Sequence, residues 1–149
     1  MEEEIETANR LMMDLLQKMN VEAEVNSYLK EGMVCIDITG DREGILIGRH
    51  GRTLDALQLL INRMVNRRIK EPVRIVVDID SYRSRRADAL ARMAVRVGDR
   101  VKTTGKSMTI GPFNAHDRRI IHIALKEDPS LRTESIGEGD IKKISIIPT

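Results

Sequence analysis

Residues 43–70 read EGILIGRHGRTLDALQLLINRMVNRRIK, and the fold turns on how this stretch is parsed. A short apolar run, Ile45 to Ile47, enters a turn at Gly48-Arg49-His50-Gly51. A longer pattern then leaves it, with Leu54, Leu57, Leu60, Ile61, Met64 and Val65 at the spacing of one helical face. Two glycines three apart, with two basic side chains between them, stand at the mouth of that helix. One reading is a tight helix-to-helix turn. The other is a backbone loop shaped for phosphate. Glycine tolerates positive φ and close approach of another backbone. Helix-opening amides without internal partners attract anions, aided by the helix dipole. Arg49 and Arg52 bring permanent charge, and His50 a pH-dependent donor.

Working outward, residues 2–19 place Ile5, Ala8, Leu11, Met12, Leu15, Leu16 and Met19 at helical spacing, with Glu2, Glu3, Glu4 and Glu6 at the positive end of the dipole. Alternation in VEAEVNSYLKEGMVCIDI, interrupted by Glu31-Gly32, predicts a hairpin of strands at about 22–30 and 33–39. Gly40-Asp41-Arg42 breaks the second strand. EGILIG is short enough for one or two helical turns. PVRIVVDID, bounded by Pro72, predicts a third strand. The first part therefore reads α-β-β-α-α-β, over residues 1–80.

Residues 81–149 read α-β-α-β-β. Ser81 is placed to cap a helix whose apolar face is Ala87, Leu90, Ala91, Ala94, Val97 and Val101, closed by Gly105. SMTIG is a short strand. A helix begins around Pro112 to Asn114 and ends before Pro129. LRTESI and IKKISII form a strand pair around Gly137 to Asp140. No flexible linker separates the parts near Asp80-Ser81, so two domains packed against each other are expected.

The formal net charge of +2 hides a strong partition. Residues 1–41 hold 3 basic and 10 acidic side chains, residues 42–74 hold 8 and 3, and residues 81–149 hold 14 and 8. Basic regions beside an acidic remainder fit either solvated helix faces or a polyanion footprint. With two Tyr, one Phe and no Trp, base stacking on an aromatic platform is excluded as the main binding mode. The single cysteine, Cys35, lies in an apolar run and reads as a small buried hydrophobe; no disulfide or thiolate metal cluster is expected. The N-terminus lacks a signal-peptide core, and no apolar run approaches the roughly 18 residues that span a bilayer. A cytoplasmic protein without membrane insertion, metal or cofactor is expected.

IGRHG between two helices, with Ile45 and Ile47 before it and TLDALQLL after it, resembles the G-x-x-G loop of a KH domain, and two preceding strands with one following match the type II arrangement. The resemblance implies that Gly48, Arg49, His50 and Gly51 lie on the backbone of about four nucleotides of single-stranded RNA or DNA, with the bases along an apolar groove. Arg52 adds charge, and Arg42, Arg63, Arg67 and Arg68 are weaker candidates. In the second part, DRRIIHIAL places Arg118 and His122 four apart on one helical face. By spacing this is either an ordinary basic face or a phosphate contact. It resembles the R-3-H domain, which implies a nucleic-acid contact by Arg118 and His122.

KH followed by R-3-H is similar to the Jag family (SpoIIIJ-associated, KhpB- or EloR-like proteins), and the resemblance covers essentially the whole chain. Many members carry a further N-terminal Jag domain and linker, whereas this sequence starts at the KH region. The fold class expected is α+β, a type II KH domain with a small α/β R-3-H domain. The resemblance implies post-transcriptional regulation in bacteria, a link to cell elongation and division, and pairing with a second small KH protein. Alternatives are a single-stranded DNA binder, or a protein-interaction module that has lost RNA binding. Catalysis is disfavoured. His116 and His122 fall on different helical faces, and no paired carboxylates flank the arginines to hold a nuclease metal. A helix-turn-helix reader of duplex DNA is disfavoured because the helix after the loop is apolar where base-reading residues would stand.

Overall fold

The computed structural model describes residues 1–149 and divides into two units, Met1–Arg83 and Ser84–Thr149. In the first, the order is α1 (Glu2–Lys18), β1 (Glu24–Lys30), β2 (Met33–Thr39), a single 3-10 turn (Arg49–Gly51), α2 (Arg52–Asn66) and β3 (Ile75–Ile79). The hairpin turn is built by Glu31 and Gly32, both at positive φ (51° and 77°), the pairing that lets a two-residue turn follow the strand twist. Lys30 faces Met33 across it. β2 is the central strand, antiparallel to β1 and parallel to β3. That position explains its burial: Val34, Ile36 and Ile38 are fully buried on the helix side, joined by Ile75, Val77 and Ile79 of β3. Ala8, Met12 and Leu16 of α1 and Leu54, Ile61 and Val65 of α2 complete this core.

Cys35 sits on the other face of β2, between Tyr28 and Val76. It is 9% exposed and burial pushes its thiol up, the behaviour of an inert packed cysteine.

Two expectations need correction here. Residues 42–47 hold no regular helix, only a single helical turn closed by Gly48 N donating to Gly44 O at 3.1 Å. A side chain satisfies two further amides: Asp41, 9% exposed, accepts from Leu46 N (3.0 Å) and Ile47 N (3.3 Å) through Oδ2. Leu60, placed in the apolar stripe of α2 by spacing, is 46% exposed, because the stripe that packs is the narrower set Leu54, Leu57, Ile61 and Val65.

The second unit contains most of α3 (Tyr82–Thr104), then β4 (Met108–Phe113), α4 (Ala115–Leu125), β5 (Leu131–Ile136) and β6 (Lys142–Pro148). Its sheet runs β4-β6-β5, antiparallel throughout. Leu90, Ala94 and Val101 of α3, Ile121 and Leu125 of α4, and Ile144 and Ile146 of β6 form its core. α3 lies so close to the sheet that a Cβ on Gly98 would stand 2.8 Å from Leu131 Cδ1. At the end of α3, Gly105 adopts φ 69° and donates to Val101 O, a left-handed C-terminal cap.

Helix starts are less regular than expected. Ser81 has φ 56°, outside the extended region that a capping residue occupies. Pro112 and Phe113 belong to β4, so α4 starts later, capped by Asn114, whose Oδ1 accepts from Asp117 N at 2.8 Å.

Candidate nucleic-acid interfaces

The glycine loop is held from below by carboxylates. Asp80 accepts from Gly40 N and Asp41 N, at 3.1 and 3.2 Å. Asp41 in turn holds Leu46 N and Ile47 N. Ile47 O then accepts from Thr53 N (3.1 Å) and Leu54 N (3.2 Å) at the start of α2. Three links thus fix the loop between β2 and α2. None of them is visible in the sequence beyond the strand break at Gly40-Asp41, because Asp41 and Asp80 meet only after β2 and β3 pair.

Within the loop, Gly48, His50 and Gly51 all have positive φ, at 71°, 56° and 78°. Both glycines are sterically required. A Cβ on Gly48 would collide with the Thr53 hydroxyl and lie 2.8 Å from Thr53 Cβ. A Cβ on Gly51 would lie 2.9 Å from Cε1 of Tyr82. The loop turns its basic side chains outward: Arg49, His50 and Arg52 are exposed. Neither Arg49 nor Arg52 is engaged by an acceptor of the protein.

The expected anion-binding amides are corrected. Gly51 N donates to Gly48 O (3.5 Å), Arg52 N to Arg49 O, and Thr53 N and Leu54 N to Ile47 O. The amides that open α2 are therefore taken by backbone carbonyls, because the loop folds back over the helix start. What the loop offers an anion is the pair of guanidinium groups, with the positive end of the α2 dipole behind them.

A cleft of about 820 Å3 opens between residues 20–24 and 39–45; Val21, Ala23 and Ile45 line it together with Glu22, Glu24, Arg42 and Glu43.

Two other arginines near α2 have partners within the protein. Arg83 donates from Nε to Val77 O and from Nη2 to Gln58 Oε1, both at 3.0 Å, and pairs with Asp55 at 3.4 Å. Arg68 reaches Met64 O. Arg42, Arg63 and Arg67 stand exposed.

In the second unit, Arg118 and His122 do share a face of α4, but both are already engaged. Arg118 Nη1 donates to Phe113 O (2.8 Å) and Asp140 O (2.9 Å), tying the end of β4 to the 137–140 turn. His122 Nδ1 lies 2.6 Å from Thr133 Oγ1 and Nε2 lies 3.1 Å from Ser135 Oγ, both on β5. Burial, and then the neighbouring charge of Arg118, push the His122 pKa below the usual histidine value. Arg118 is the permanent charge of the two, and its Nε and Nη2 are without a protein acceptor. Next to it, Asp117 is buried and paired with Arg86 of α3 at 3.0 Å. No group of three or more metal-ligating side chains is brought together.

Comparison with known proteins agrees with this geometry. The model of the KhpA/KhpB KH domain matches residues 2–79. The chain belongs to the KhpA/KhpB KH-domain family. The R-3-H domain model matches residues 88–148, so this family member joins a KH domain to an R-3-H domain, the Jag-like arrangement. Similar relatives all carry the name RNA-binding protein KhpB. The protein from Clostridium symbiosum is 37% identical over 128 residues, covering 86% of this chain and 57% of its own. That from Lactiplantibacillus plantarum is 33% identical over 145 residues, 95% of this chain and 45% of its own. That from Bacillus subtilis is 29% identical over 144 residues, 95% and 69%. The chain spans about half the length of the first two. No helix is long and apolar enough to cross a membrane.

Proposed function

We propose that this chain binds single-stranded RNA at equilibrium in the bacterial cytoplasm, acting as a post-transcriptional regulator and catalysing no reaction. Its two binding domains are residues 1–80 and 81–149. Gly48 to Gly51 hold the RNA backbone, with Arg49 and Arg52 as the cationic contacts and His50 beside them. Arg118, with His122 on the same helical face, gives a second phosphate contact, and a strand that reached both sites would gain affinity by effective concentration. The observation that carries this reading is the pair of exposed, unpaired guanidinium groups on a loop whose glycines are sterically fixed. The relatives' name, RNA-binding protein KhpB, supports RNA as the ligand. The link to cell elongation and a small KH-protein partner belong to this proposal by family resemblance.

The test is fluorescence anisotropy with a short single-stranded RNA, with single-stranded and duplex DNA as competitors. Arg49→Asp/His50→Asp keeps both glycines and changes only exposed side chains. It is expected to abolish binding without lowering the unfolding temperature. Arg118→Ala/His122→Ala is expected to weaken a longer RNA more than a four-nucleotide one. A folded Arg49→Asp/His50→Asp variant with wild-type affinity would overturn the loop's role. Preference for duplex DNA would overturn the ligand class.

A further inference from the structure

α3 carries a row of exposed arginines that the two sites above do not use. Its buried face is Leu90, Ala94, Gly98 and Val101. Arg92, Arg96 and Arg100 each follow a buried residue by two positions, a rotation of about 200°, so they line the opposite face. All three are exposed, and the next four-residue step toward the N-terminus is the exposed Asp88. From Arg92 to Arg100 they climb in steps of four residues, about 6 Å each.

Three features separate this ladder from an ordinary solvated face. None of Arg92, Arg96 or Arg100 is in an ion pair; Asp99, beside them, pairs instead with Lys102 at 3.5 Å. Like charges at i, i+4 repel and cost a helix about 0.2–0.5 kcal/mol per pair, so the arrangement is unfavourable for the helix taken alone. The helix beneath is also held tightly, since Gly98 lets it sit against Leu131 without room for a Cβ. A row of unneutralised guanidinium groups at regular rise on a fixed helix matches a chain of phosphates.

We propose that the Arg92–Arg96–Arg100 face of α3 is a third contact for the RNA backbone, engaging nucleotides beyond those held at the glycine loop. This rests on the RNA-binding reading. It predicts length dependence: a four-nucleotide RNA occupies the loop only, whereas a strand of about 20 nucleotides reaches the ladder.

The experiment compares wild type, Arg92→Ala/Arg96→Ala/Arg100→Ala, the corresponding triple Lys variant, and a control, Arg10→Ala/Lys18→Ala/Lys30→Ala, that removes three charges from the acidic region. Each is titrated with four- and 20-nucleotide single-stranded RNA over a range of salt. The ladder variant should lose about tenfold or more in affinity for the long RNA, and its slope of log K against log salt should fall by about 2, at roughly 0.7 per phosphate lost. The short RNA should bind unchanged, and the Lys variant should recover most of the loss. Wild-type affinity and slope in the Ala variant, or an equal loss in the control, would overturn the ladder. If wild type binds neither RNA, the RNA-binding reading itself fails. If only the Ala variant's affinity for anionic vesicles falls, the face serves a membrane surface and the RNA assignment is wrong.

Discussion

The ring of Tyr82 lies over Gly51, so close that a Cβ on the glycine would meet Cε1 at 2.9 Å. Gly51 also holds φ 78°. The second glycine of the loop is thus fixed twice, by its backbone and by an aromatic ring from the start of α3.

That relationship gives the first prediction. Gly51→Ala should lower stability by about 1–2 kcal/mol, from the left-handed conformation and the collision together. In a Tyr82→Ala background the same substitution should cost less, since only the conformational part remains. Urea unfolding of the four proteins checks this; an identical cost in both backgrounds would show that the ring does not constrain the loop.

Asp41 should matter more than its place in a turn suggests. Its carboxylate satisfies Leu46 N and Ile47 N from a nearly buried position. Asp41→Ala leaves two amides without that acceptor and should destabilise by about 2 kcal/mol, with Asp41→Asn milder. Hydrogen exchange at the Leu46 and Ile47 amides is the specific readout, and unchanged protection in Asp41→Ala would refute the link.

His122 makes stability depend on pH in a definite direction. Its folded pKa is pushed down by burial and by Arg118, so the unfolded chain binds the proton more readily. Stability from this group is fully present above the unfolded value near 6.5 and is lost as pH falls through the folded value. Between pH 7 and 5, unfolding free energy should fall with decreasing pH in wild type and fall less in His122→Gln. Parallel profiles for the two proteins would remove His122 as the source.

Binding of a four-nucleotide RNA should weaken with salt. If Arg49 and Arg52 each neutralise one phosphate, log K should fall with log salt with a slope of about −1.4. Affinity that stays flat from low to high salt would exclude the phosphate contacts.

Much of the architecture is legible from residue pattern because it is written in local periodicity. The helical spacing from Ile5 to Leu16 is α1, and the Glu31-Gly32 hairpin keeps its turn. LRTESI is β5 with the same bounds. The loop is legible because glycines at fixed spacing around basic residues are a local signal. The 42–47 segment makes one helical turn and no more, because the Leu46 and Ile47 amides are taken by Asp41, a side chain whose burial depends on the sheet. Pro112 reads as a helix start yet is not, because the pairing of β4 with β6 carries the strand through it.

Sequence alone determined the two-part α+β order, the polarity of its regions and which side chains could meet phosphate, since these follow from spacing and charge along the chain. Only the tertiary structure decided which of those side chains are available. The α2 amides are closed by carbonyls of the returning loop, and both ring nitrogens of His122 are engaged by Thr133 and Ser135 of β5. Arg83 is spent on β3 and α2, while Arg49, Arg52 and the α3 ladder remain open. A guanidinium contacts a ligand only through the N–H groups that folding has left without a partner, and partners are assigned by packing between distant segments.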